Sequence, residues 1–143
     1  MPNWAELAAF SHYRTATAIR DTLRTGDLHE ATVGIEELID AMGKSERRAL
    51  QSQLERLMKH IIKWQVQPRK RSRSWRRSIV QARKAIREIQ EDTPSLTDNA
   101  IRGLWDRALG AAYDEAQDEV GIDFPLLVLT WEEVFEQDYV LHD

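Results

Sequence analysis

Apolar residues return at three- and four-residue steps along almost the whole chain, which is the period of an α-helix rather than of a strand. Trp4, Leu7, Ala8, Ile19 and Leu23 lie on one such face, Asn3 precedes it as an N-cap, and Thr25-Gly26-Asp27 supplies a stop. The pattern therefore predicts a first helix ending near Arg24. A second is predicted from Leu28 to Met42 on Leu28, Ala31, Ile35, Leu38, Ile39 and Met42, with Gly43 placed as a left-handed C-terminal cap.

Ser45 is the expected cap of a third helix that runs to about Val66, because Pro68 disfavours helical geometry at Gln67. Its apolar stripe is wide: Leu50, Leu54, Leu57, Ile61 and Trp64 align, with Met58 and Ile62 beside them, so contact with several neighbours follows. After a basic connection from Pro68 to Arg73, a fourth helix is expected from about Ser74, a suitable N-cap, to Gln90, with Trp75, Ile79, Ala82, Ile86 and Ile89 inward. Thr93-Pro94 ends it. Ser95 and Asp98 have capping-box spacing for a fifth helix, whose face of Ile101, Leu104, Trp105, Ala108, Ala112, Ala116 and Val120 ends at Gly121. Small Ala112 and Ala116 permit close helix approach.

Phe124 to Leu129 is an apolar run that could be a strand. A lone strand leaves its backbone groups unpaired, so an extended packing segment is expected instead. Thr130 and Glu133 then form a capping-box pair for a short helix carrying Trp131, Val134 and Phe135. The fold class that follows is all-α, a single-domain bundle of five to six helices over residues 1–143.

Composition narrows the class further. With 42% hydrophobic and 31% charged residues, the 143-residue chain has the balance of a folded domain rather than of a disordered polyelectrolyte. The longest apolar run falls far short of the roughly 20 residues that cross a bilayer, so no membrane span is expected. The start, MPNWAEL, lacks the features of an export signal, and a cytoplasmic location is the resulting expectation. The absence of cysteine excludes a disulfide framework, a thiolate nucleophile and cysteine metal ligands.

Several stretches resemble one bacterial family. Lys63-Trp64-Gln65, Pro68 and Arg71-Ser72-Arg73-Ser74-Trp75 look like the family known as domain of unknown function 29. So do Gly43 to Arg48, in the order Gly-x-Ser-Glu-Arg-Arg within Leu38 to Leu50, and Asp92-Thr93-Pro94-Ser95-Leu96. The resemblance covers most of the chain. It implies an all-helical fold and brings no activity and no catalytic residues.

The net charge of −4 conceals a partition. Residues 44–87 hold 15 Lys or Arg against two acids, whereas residues 88–143 hold two against 15 and the first 43 hold three against seven. On the fourth helix Arg73, Arg76, Arg77, Arg83, Lys84 and Arg87 cluster opposite the Trp75 stripe, and Arg69, Lys70 and Arg71 extend the basic character into the connection. Arg71, Arg73, Arg76, Arg77, Arg83, Lys84 and Arg87 are thus the candidate anion or nucleic-acid contacts. Pairing with the acidic half, including Asp114, Glu115, Asp118 and Glu119, is the favoured expectation for this face, because charge runs belong mostly to solvated or paired helix surfaces. Trp64 and Trp75 could stack bases but lie on apolar stripes, where core packing accounts for them.

Enzyme signatures are missing. His12, His29, His60 and His142 are never three or four positions apart, and no Glu-x-x-His pair, phosphate loop or nucleophile elbow occurs. No catalytic residue, cofactor or metal site is assigned. The function expected from sequence is a noncatalytic module that binds a protein partner or forms a homo-oligomer through helical surfaces. Nucleic-acid regulation through the basic face of residues 69–87 is the alternative.

Overall fold

Where the apolar pattern predicts one helix up to Arg24, Ser11 divides it. In the computed structural model, which describes residues 2–142, Ser11 takes extended backbone angles between α1 (Trp4–Phe10) and α2 (His12–Arg24). Its N–H closes α1 on the Leu7 carbonyl and its Oγ accepts from the Arg14 N–H, so one residue caps both helices. Asn3 caps α1 as expected, through the Glu6 N–H. Gly26, at φ 85°, makes the turn after α2, and Asp27 then accepts from the Glu30 N–H at the start of α3.

The two helices expected on either side of Gly43 are one. α3 runs unbroken from Leu28 to Val66, 39 residues. Gly43 is helical, with no left-handed backbone, and Ser45 caps nothing. A mid-helix glycine costs only about 1 kcal/mol relative to alanine, and Lys44, Glu46, Arg47 and Ala49 around it are good helix formers. An i,i+4 ion pair from Lys44 to Asp40, 3.1 Å, also bridges the position.

Gln67 ends α3, and a 3-10 turn over Pro68–Lys70 leads to α4 (Arg73–Asp92). Here Ser72 and not Ser74 is the N-cap, accepting from the Trp75 N–H. α5 (Asp98–Val120) is likewise capped by Thr97 through Ala100 rather than by Ser95, and it ends at Gly121 in the left-handed region, φ 75°, as its glycine predicts. The segment after it has no strand partner among the described residues and alternates in its burial. Phe124, Leu127 and Leu129 turn inward, while Leu126 and Val128 are exposed. Its Phe124 carbonyl is held by the Tyr113 hydroxyl and by Gln117. α6 (Trp131–Phe135) opens with the expected capping box of Thr130 and Glu133.

Contacts group the chain into two compact units, Met1–Arg47 and Arg48–Asp143, each with its own hydrophobic cluster. In the first, Trp4, Ala8, Ile19 and Ala31 are buried, with Leu7, Ala18 and Leu38 packed alongside. The second buries the whole wide stripe of Leu50, Leu54, Leu57, Met58, Ile61, Ile62 and Trp64. Against it lie Ile79, Ala82 and Ile86 of α4, Ile101, Ala108, Ala112 and Ala116 of α5, and Leu129, Val134 and Tyr139 near the end of the chain. Trp75 is partly buried against this core, so both tryptophans flanking the basic connection are packing residues.

Candidate functional site

The basic face of α4 divides into cations that hold the chain together and cations that do not. Arg71, just before the helix, donates from Nε to the Trp64 carbonyl at 2.8 Å and lies over the Trp64 ring, capping one of the last carbonyls of α3. Arg83 donates from Nε to the Val134 carbonyl, 2.8 Å, and from Nη2 to the Glu133 carbonyl, 3.2 Å. These are C-terminal carbonyls of α6, where a cation also complements the helix dipole. Burial lowers the pKa of Arg83 below the ordinary arginine value, while Tyr139 and Asp138 oppose that shift. Arg87 reaches Asp98 at 2.9 Å and Gln90 at 2.6 Å, its guanidinium over the Phe135 ring. Arg76 donates to the Tyr139 carbonyl, 3.1 Å, with Asp138 at 4.0 Å.

The rest of the face is open. Lys84 is exposed and makes only a long contact to Glu88, 3.9 Å. Arg73 and Arg77 are exposed and enter no ion pair among the described residues. The structure therefore brings Arg71, Arg76, Arg83 and Arg87 onto the chain's own backbone and carboxylates, and leaves Arg73, Arg77 and Lys84 facing solvent.

Asp98 and Asp138 of the acidic half meet α4, but the acids near the end of α5 pair elsewhere. Glu119 accepts from Lys63 at 2.9 Å and Lys59 at 3.1 Å, and Glu115 lies 3.5 Å from Lys59. The expected α4 partners Asp114, Glu115, Asp118 and Glu119 are thus either bound to cations of α3 or exposed. The hydrogen bond from Lys63, ahead of that from Lys59, holds the Glu119 carboxyl below its usual range.

Two polar groups, one half-buried and one buried, are placed without forming a reactive pair. His60 has Nδ1 2.8 Å from the Arg56 carbonyl, and burial, followed by the charges of Lys59, Lys63 and Arg56, lowers its pKa below 6.5 against the opposing effect of that backbone bond. Among the described residues, no carboxylate is hydrogen-bonded to its ring. Tyr139 donates to the Glu133 carbonyl at 2.6 Å and meets Trp64 edge-on, and burial pushes its phenol up to about 12. Among the described residues, no group of three His, Asp or Glu side chains is placed to hold a metal ion.

Sequence reasoning passed over a different surface. In the first unit the inner side of α3, formed by Ala31, Gly34 and Leu38, packs on α1 and α2. Leu28, Ile35, Ile39 and Met42 form an adjacent stripe on the same helix, and they are 68%, 39%, 58% and 47% exposed. Phe10, Tyr13 and Leu23 are also exposed in this unit. The signal was present in the sequence, since apolar residues spread around more of the Leu28 to Met42 helix than two short neighbours can cover.

A family model described as domain of unknown function DUF29 matches residues 16–140. No curated protein and no solved structure matches the chain.

Proposed function

The chain belongs to the DUF29 family, and we propose that it is a noncatalytic interaction module that associates with a second copy of itself through the exposed apolar stripe of α3. One observation carries this. The apolar side chains buried in the first unit, Trp4, Ala8, Ile19 and Ala31, make a small core, yet the unit leaves Leu28, Ile35, Ile39 and Met42 in line on one helix face. A unit of this size is marginal by itself, because small folds bury too little of their surface. An exposed aligned stripe of large apolar side chains marks an interaction surface rather than ordinary scatter. Because that cover is needed whenever the unit is folded, a surface always supplied with the protein answers best, and symmetric self-association is the commonest solution. Among the described residues, His60 is hydrogen-bonded only to the Arg56 carbonyl, which supports a noncatalytic reading.

The alternative, nucleic-acid regulation through the basic face, has less to support it. Of its seven residues, Arg71, Arg83 and Arg87 have their guanidinium groups engaged by the chain itself, and Arg76 is partly so.

The cysteine-free sequence allows a direct test. Single substitutions Ile35→Cys and Ile39→Cys place a thiol on the stripe, and Asp118→Cys places one on an exposed site of α5. Under mild oxidation at low protein concentration, at least one stripe variant is expected to form disulfide dimers much faster than the α5 variant. Equal, slow rates at all three positions would remove the proposal.

A further inference from the structure

We infer that the groove between the start of α4 and the chain segment at Val140 and Leu141 is a docking site for an acidic protein segment that carries an apolar side chain between carboxylates. The groove encloses about 440 Å³ and is lined by Arg73, Arg76, Arg77, Val80, Val140 and Leu141. Its chemistry is mixed in a specific way. Arg73 and Arg77 stand one helical turn apart and are exposed, and neither enters an ion pair among the described residues. Arg76 is anchored by Nε on the Tyr139 carbonyl, which fixes the plane of its guanidinium beside them. Asp138, 4.0 Å from Arg76 and largely exposed, is the acid nearest to this cluster among the ion pairs of α4. Val80, one turn beyond Arg76 and Arg77 on α4, and Val140 are both about half exposed, and with Leu141 they supply the apolar part of the lining.

A ligand that satisfies such a site needs negative charge and an apolar group at close spacing. Arg73 to Val80 spans seven residues of α-helix, roughly 10 Å, which is the length of about three residues of extended chain. A peptide of interspersed acids and aliphatic residues, its backbone turned so that both kinds face the groove rather than opposite sides as in a flat strand, sets two carboxylates at the guanidinium forks and one side chain on the valines. Arginine is suited to this, because its planar donors grip a carboxylate through two hydrogen bonds.

A nucleic-acid backbone fits less well. It would meet the arginines but offers nothing to Val80, Val140 and Leu141. Trp75, the nearest tryptophan in sequence, is packed against the core with Lys63 over its ring at 4.8 Å, so it presents no stacking platform. The net charge of −4 further opposes a polyanion. This inference uses only residues of the second unit and holds whether or not α3 mediates self-association.

The test is fluorescence anisotropy with four labelled probes. They are a peptide with a Glu-Leu-Glu-Leu-Glu centre, its Gln-Leu-Gln-Leu-Gln counterpart, its Glu-Ser-Glu-Ser-Glu counterpart and a short DNA duplex. The protein is used as wild type, as the pair Arg73→Gln with Arg77→Gln, and as Val80→Asp, with circular dichroism establishing that the exposed substitutions leave the helices intact. The first peptide is expected to bind best, and each variant to weaken it by about tenfold or more, as loss of two charge-assisted contacts or burial of an opposing charge requires. The charge variant should also flatten the salt dependence. Tighter binding of the duplex, equal binding of the Gln or Ser counterparts, unchanged affinity in both variants, or no binding of the acidic apolar peptide would each overturn the inference.

Discussion

Two glycines in the same helix should respond to alanine in opposite directions. Gly43 has no atom within 4 Å of where a Cβ would stand, and its backbone is helical, so Gly43→Ala is expected to stabilise by about 0.5–1 kcal/mol through helix propensity alone. At Gly34 the same Cβ would lie 2.8 Å from Ile19 Cγ1 and 2.9 Å from two ring carbons of Trp4. Ile19 and Trp4 are both buried and cannot swing away, and overpacking of this kind costs about 1–3 kcal/mol. Set against the propensity gain, Gly34→Ala should be net destabilising, by about 1 kcal/mol. Because the propensity term is common to both, their difference isolates the close approach of α3 to α1 and α2. Urea unfolding followed by far-ultraviolet circular dichroism gives the two shifts, and amide exchange shows whether the loss at Gly34 is confined to the first unit. Stabilisation by Gly34→Ala would refute that close approach. Destabilisation by Gly43→Ala would instead mean that Gly43 needs left-handed geometry and that α3 is two helices.

Three further outcomes follow from the second unit. Arg83→Met keeps the stem's packing but removes both bonds to the last α6 carbonyls, and should cost about 1.5–3 kcal/mol with faster amide exchange in α6; unchanged exchange there would show that Arg83 does not clamp it. Tyr139→Phe removes the hydrogen bond to Glu133 but retains the edge contact with Trp64, so a loss of about 0.5–1.5 kcal/mol in urea unfolding is expected. His60 binds its proton less readily when folded than when unfolded. Its contribution is therefore complete above about pH 6.5 and is lost as pH falls from there through the folded value. Unfolding midpoints should decline over that window in the wild type and less so in His60→Gln, whereas the loss tied to Glu119 begins only lower, below its unfolded value near 4.5.

Much of the architecture was legible because period and punctuation agreed. Gly26 and Gly121 stand where apolar stripes stop, and both adopt positive φ. The capping box at Thr130 and Glu133 was readable from spacing alone. Gly43 misled because the apolar positions change phase around it. At 100° per residue, the direction of Leu28, Ile35, Ile39 and Met42 differs from that of Leu50, Leu54, Leu57 and Ile61 by roughly a sixth of a turn, and such a shift reads as two helices. Ser11 was missed for the converse reason, since Trp4, Leu7, Ala8 and Ile19 fit one stripe and only Ser11's own backbone breaks it. The fate of the basic face was legible only in part: pairing with the acidic half was expected, and Arg87 does reach Asp98, but the backbone contacts were not. The acceptors of Arg76 and Arg83 are backbone carbonyls 50 to 63 residues away, and a carbonyl leaves no trace in residue identity.

The central claim, that α3 of the first unit joins two copies, is tested most directly by sedimentation equilibrium. The wild type should be compared over a wide concentration range with the double variant Ile35→Glu, Ile39→Glu. Both positions are exposed within one chain, so a monomer tolerates the substitutions, while a second copy does not. The wild type is expected to associate with rising concentration and the variant to remain a monomer of the same helix content. A wild type that stays monomeric throughout, or a variant that associates equally well, would contradict the account.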